Sequence, residues 1–166
     1  VGSSADGADD PIVFSETPGT SGSNFPLNTH YHITDTTARN FTIPHARNYN
    51  VGDWLTITYK AAIGDTVVHN YSLATDGLGL ENNYALGSVM RIQGGSRSGV
   101  VNTSVANNDI VRITGDTNGD GGIGTTLKFV NVTGKANGWA VDVEVMPQGT
   151  GVEACGGDNV SDFVSG

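Results

Sequence analysis

The sequence predicts an all-β protein, an antiparallel β-sandwich of jelly-roll or Greek-key type carrying extended N- and C-terminal arms. Three observations lead there: the residue composition, a set of short alternating segments, and the turn-forming residues that separate them. The 166 residues include 24 Gly, 18 Val, 18 Thr and 15 Asn, but only 7 Leu, 4 Glu and 3 Lys. Leu, Glu and Lys lose little side-chain freedom in a helix, so their scarcity argues against helical bundles and α/β folds. Val and Thr are stiff at χ1 and fit a pleated surface. Gly, Asn and Asp tolerate the backbone angles of tight turns.

Residues 1–27 are rich in Gly, Ser, Asp, Thr and Pro, with one apolar island, Ile12-Val13-Phe14. Such a segment cannot bury enough surface to fold alone, so it reads as an arm or as a strand added to something else. It shows no charged and apolar run of the secretory-leader type. Residues 28–146 read as the sandwich. Strands are expected at Thr29–Thr34, Arg39–Ile43, Asp53–Tyr59, Thr66–Leu73, Val89–Gln93, Ile110–Thr114, Thr125–Val132 and Trp139–Val145. The last is the clearest, because Trp139, Val141, Val143 and Val145 alternate with Ala140, Asp142 and Glu144, a half-buried strand with one polar face. In the third, Leu55, Ile57 and Tyr59 share one face while Trp54, Thr56 and Thr58 share the other. In the fourth, Val67, His69, Tyr71 and Leu73 lie together.

Turn signals such as Asn50-Val51-Gly52, Asp76-Gly77, Gly94-Gly95 and Asn137-Gly138 separate these runs. Residues 147–166 form a second arm, again with an apolar pair, Phe163-Val164. Both arms are expected to dock on a neighbouring surface, with Ile12, Val13, Phe14, Phe163 and Val164 as anchors. Trp54, on the face opposite Leu55 and Ile57, is expected to meet a second sheet or a partner.

The formal net charge is −9, from 8 basic and 17 acidic residues. Without a basic cluster, such a surface repels phosphate backbones, so no nucleic-acid partner is expected. No apolar run reaches the ~18 residues of a membrane helix, so no membrane partner is expected either. The one cysteine, Cys155, excludes an intramolecular disulfide framework and reads as a free thiol.

Candidate chemistry is sparse. His30 and His32, two apart on one strand face, could offer two ligands to a metal, as in a jelly-roll metal-dependent enzyme. The following residues provide only Asp35 towards such a set. Asp116, Asn118 and Asp120 imitate the first half of a calcium loop, but position 12 is Leu127 where a bidentate carboxylate is required. No nucleophile elbow, phosphate loop or Cys–His partnership occurs. The expectation is therefore no catalytic residues, no cofactor and no metal. Five Asn-x-Ser/Thr triplets, at Asn40, Asn70, Asn102, Asn131 and Asn159, read as compositional.

The stretches FTIPHARNYNVGDWLTITYKAAIGDTVVHNYSLATDG (41–77) and NGDGGIGTTLKFVNVTGKANGWAV (118–141) carry a Thr-Ile-Pro strand, Gly-Asp entries into alternating strands and a closing Gly-Trp-x-Val strand. In style and order they resemble small β-domains of tailed-phage virion proteins, both capsid decoration (cement) proteins and tail-fibre domains. The resemblance implies a metal-free homotrimer on the outer surface of the particle, bound to the major capsid protein or another virion protein and reinforcing the shell. The alternative it leaves open is a tail-fibre or receptor-binding module that recognises a surface glycan.

Overall fold

Period-two alternation of apolar and polar residues gives each strand one buried and one solvated face, and two such sheets cover each other's apolar faces. The computed structural model follows that rule. It describes residues 25, 27–46, 50–73, 84–93, 99–105, 108–115, 120–132, 138–148 and 161–165, and the backbone of 12–14. Its strands are β1 (Ile12–Phe14), β2 (Thr29–Ile33), β3 (Arg39–Ile43), β4 (Trp54–Tyr59), β5 (Val68–Leu73), β6 (Tyr84–Ala85), β7 (Val89–Ile92), β8 (Val101–Thr103), β9 (Ile110–Thr114), β10 (Thr126–Asn131), β11 (Gly138–Val145) and β12 (Asp162–Val164). All eight expected strands are present, with ends shifted by no more than two residues. The fold is the all-β sandwich that the composition predicts.

The larger sheet runs β1-β2-β4-β10-β11-β7-β8, with β6 also on β11, and the smaller runs β12-β9-β5-β3. Pairing was expected to be antiparallel throughout. Five of the ten ladders are antiparallel and five are parallel, so both sheets are mixed. The reason lies in the chain path from β2 to β5. Consecutive strands alternate between sheets, so β4 returns beside β2 and β5 beside β3, each parallel to the strand before last. A parallel pair needs a long crossover, and here a strand of the opposite sheet takes the place usually held by a helix. Side-chain alternation marks which face is buried and carries no information about the neighbour's direction.

The segments expected as arms contribute strands at the sheet edges. Ile12–Phe14 pairs with β2, and Asp162–Val164 pairs with β9. Phe163, expected to anchor on a neighbour, is only 5% exposed and belongs to the chain's own core, because β9 would otherwise leave an open apolar edge. Val164 beside it is half-buried. The side chains of Ile12, Val13 and Phe14, like Cys155, lie outside the described residues.

The core between the sheets is built on Trp139, Tyr59, Tyr71, Phe25, Phe41 and Phe129, all fully buried. Phe41 stacks on Tyr71 with centroids 4.9 Å apart, and Phe25 meets Tyr31 edge-on at 4.8 Å. Tyr31 is therefore an interior residue, although His30 and His32 on either side of it face outward. Trp139 and Asn131 pair their buried polar groups with backbone carbonyls, as burial requires. The Trp139 indole N–H donates to the Pro44 carbonyl at 2.9 Å, and the Asn131 amide donates to the Ala46 carbonyl at 2.7 Å. Both bonds tie the larger sheet to the turn that follows β3.

A second polar chain crosses the interior. The Tyr71 hydroxyl donates to the Tyr59 hydroxyl at 3.0 Å, which lies 3.0 Å from Nδ1 of His69. Nε2 of His69 lies 2.8 Å from the Thr37 carbonyl. A carbonyl only accepts, so Nε2 carries the proton and Nδ1 accepts from Tyr59. His69 is neutral in this arrangement. Burial pushes its pKa below the usual histidine value, outweighing the Thr37 carbonyl and the nearby Asp35 carboxylate.

Between β6 and β7 the three residues Leu86-Gly87-Ser88 oppose two on β11, Ala140 and Val141, which makes a bulge. Gly87 has φ +58°, a left-handed angle that glycine adopts without a steric penalty. The bulge deprives Val141 of a backbone acceptor, and the buried Ser88 hydroxyl accepts its N–H at 2.9 Å instead. Ser88→Ala should therefore destabilise the fold by about 1–3 kcal/mol, the cost of stranding a buried donor, as read from urea unfolding.

A pH effect follows from His69. Its folded pKa is depressed, so its contribution is complete above an unfolded value near 6.5 and is lost as pH falls from there towards the folded value. One such proton gives a slope of up to about 1.4 kcal/mol per pH unit. His30 and His32 are also lowered and act with the same sign, so the test is a difference between proteins. Asp35 acts in a separate range. Burial raises its pKa, but hydrogen bonds from the Thr37 hydroxyl and amide and from Arg39 outweigh that, and the net lowering matters only below the ordinary carboxylate value. His69→Gln should flatten the stability profile between pH 6.5 and 5, and an unchanged slope would contradict a ring held neutral by burial.

Candidate functional site

Because one face of each sheet is buried against the other, the outward face of the larger sheet is the widest surface the fold presents. Strand register arranges its side chains in rows. One row runs His30, Thr56, Lys128, Asp142, Val89 and Thr103. The next runs His32, Thr58, Thr126, Glu144, Arg91 and Val101. A third begins with Trp54, Val130 and Ala140.

The rows divide the face into three regions. At the Trp54 end the surface is apolar. Val130 is exposed directly opposite half-buried Trp54, and Val132 follows on the same side of β10. The turn at Asn50-Val51-Gly52 closes this end, with the Gly52 N–H donating to the Asn131 carbonyl at 2.7 Å and Val51 left 65% exposed. Asp53 holds the turn through its carboxylate, which accepts from the Asn50 N–H at 2.9 Å and from the Asn28 amide at 3.1 Å. Trp54 is half-buried on this outward face and points away from the smaller sheet. Val130 and Val132 were not singled out from the sequence. Their signal was parity: with Leu127 and Phe129 inside, every second residue of TLKFVNV faces out.

The middle region is charged. A shallow groove of about 360 Å³ runs over Ala140, bordered by Val89, Arg91, Lys128, Val130 and Asp142. Arg91 forms an ion pair with Asp142, and the Gln93 amide donates to Glu144 at 2.7 Å. Both links sit on exposed side chains and contribute little to stability. They fix where charge is displayed.

The third region holds His30 and His32, which the structure brings together as the sequence suggested, with ring centroids 5.1 Å apart. Nε2 of His30 is 2.8 Å from the Thr58 hydroxyl, which is 3.2 Å from that of Thr126, which donates to the Gly124 carbonyl at 2.9 Å. The terminal carbonyl can only accept, so the chain runs one way and His30 donates from Nε2. Burial lowers the His30 pKa, with help from His32, Lys60 and Lys128. Burial and Lys60 lower that of His32. Both shifts favour the neutral ring. His69 lies between the sheets and His45 is buried beyond β3, so neither joins this pair. Among the described residues no group of three or more His, Cys, Asp or Glu converges.

The remaining candidates are dispersed. Asp116 and Asn118 lie outside the described residues. Asp120 is buried and turned inward, where its carboxylate accepts from the Ser161 N–H at 3.2 Å and so helps to place β12. Glu144 stands on the polar face expected of it. No protein-family model, curated protein or solved structure matches this chain.

Proposed function

We propose that this chain is a non-catalytic virion structural protein, a capsid decoration protein that reinforces a phage shell by docking on its capsomers. The observation that carries the reading is the apolar end of the outer face. Among the described residues, half-buried Trp54 and exposed Val51, Val130 and Val132 make this end of the outer face apolar, beside a charged border. Exposed apolar patches rimmed by polar residues are characteristic of protein-binding surfaces, and tryptophan is the side chain that most often dominates their energetics. The resemblance of residues 41–77 and 118–141 to virion β-domains supplies the partner, a major capsid protein. The acidic remainder of the surface stays solvated.

A second reading has an observation of its own. Trp54 and the groove over Ala140 together offer an aromatic ring beside carboxylate, ammonium and guanidinium groups, a combination that suits a glycan in a receptor-binding module.

Capsids assembled without the chain are expected to lose integrity at a lower temperature or salt concentration and to recover when the purified protein is added. Trp54→Ala should weaken capsid binding by about 2 kcal/mol or more, roughly thirtyfold. Val130→Lys should weaken it comparably while leaving the unfolding midpoint within the ordinary range for a surface change. Absence of capsid binding together with retention on a glycan array would replace the first reading with the second.

A further inference from the structure

Among the described residues the sheets end on four strands, β1 and β8 on the larger and β12 and β3 on the smaller. An edge strand displays unpaired N–H and C=O groups, and proteins discourage its pairing with charged residues or proline. Three of the four edges follow that practice. β1 is preceded by Asp9-Asp10-Pro11, β3 carries Arg39 and runs into Pro44, and β12 opens on Asp162. β8 differs. From Ser98 to Asn108 the sequence has neither a charged residue nor a proline, in a chain of net charge −9. Val101 and Val105 are 55% and 66% exposed, with Val100 and Leu86 exposed beside them.

The backbone at this edge has a defined polarity. β8 pairs antiparallel with β7, with Asn102 opposite Met90. The Ser104 N–H donates to the Ser88 carbonyl and the Val100 carbonyl accepts from the Ile92 N–H, both at 3.0 Å. Bonding alternates along an antiparallel ladder, so Val101 and Thr103 point their N–H and C=O groups away from β7. Among the described residues nothing pairs with them.

We propose that β8 is the pairing edge for a second copy of this chain, antiparallel about a two-fold axis through Asn102. The register is self-complementary. Val101 of one copy faces Thr103 of the other, each pair exchanges two hydrogen bonds, and the two β-branched side chains meet on the same sheet face. Two copies that repel each other by net charge approach with least penalty at the neutral segment. The joined sheets display both outer faces on the same side, because side chains of directly paired residues share a face. The two Trp54 patches then point the same way and engage a surface bivalently. That bivalent engagement rests on the docking role proposed above for the patch, whereas the pairing itself rests on the β8 edge. Copies are counted in twos: a dimer in solution, or a hexamer where the three-fold contact implied by the resemblance also forms.

The test uses the full chain with Cys155→Ser, made as two variants, Val101→Cys and Thr103→Cys. Mild oxidation of the mixture should yield a disulfide-linked dimer of unlike chains, in clear excess over either variant alone, since the directly opposed pair lies within disulfide range. Light scattering should give the mass of two or six copies, and Thr103→Lys should weaken the association at least about tenfold while leaving thermal unfolding unchanged. A monomer at high micromolar concentration would overturn the pairing, as would cross-linking no better than that of a Val51→Cys with Val132→Cys mixture. A monomer that still binds capsids sinks this proposal and spares the decoration reading. A β8 dimer that ignores capsids does the reverse.

Discussion

Tyr59 and His69 stand on facing strands of different sheets, and the hydrogen bond between them sets how one layer lies over the other. Apolar packing alone tolerates sliding, because aliphatic and aromatic surfaces accept several offsets at similar energy. A buried hydroxyl or imidazole does not, because an unmatched polar atom costs more than a matched one contributes. The chain Tyr71–Tyr59–His69–Thr37 therefore acts as a registration pin at one part of the interior. Trp139 and Asn131 do the same at another, where they reach the backbone after β3. Once the layers are registered, the outward row that begins with Trp54 is fixed, and so is the surface on which function is proposed to rest.

Among the eight central strands the alternation is clear in Asp53–Tyr59, Thr66–Leu73 and Trp139–Val145 and weaker in the other five, most of which are marked off by nearby Gly, Asn or Asp. Short strands escaped. Tyr84–Ala85 and Val101–Thr103 are too brief for periodicity to register, and the three residues of β8 are partly exposed on both faces. The parallel ladders were not legible at all, since a strand's buried face follows from its own sequence while its neighbour's direction depends on the path of the whole chain. The ends of the chain were read as arms because Gly, Ser and Asp dominate them. What places Phe163 in the core is the open side of β9, a partner distant in sequence.

Of the candidate site, His30, His32 and Trp54 were legible from strand parity alone. The apolar end around Trp54 was less so, because valine in a strand is ordinarily read as core. Val130 and Val132 face out only because Asn131, a polar residue, turns inward to cap the turn at Ala46. The ion pair of Arg91 with Asp142 joins residues far apart in sequence, and nothing local to either announces the other.

The order of strands has a further consequence for biosynthesis. Sheet neighbours are mostly not chain neighbours: β4 lies between β2 and β10, and β9 between β5 and β12. β12 comes after all the other described strands, so the smaller sheet stays one strand short until that segment has left the ribosome. The aromatic interior is therefore completed only late in translation, and the nascent chain carries an exposed β9 edge while it waits. An unpaired strand edge is an aggregation hazard during that interval, and the pairing of β12 with β9 removes it.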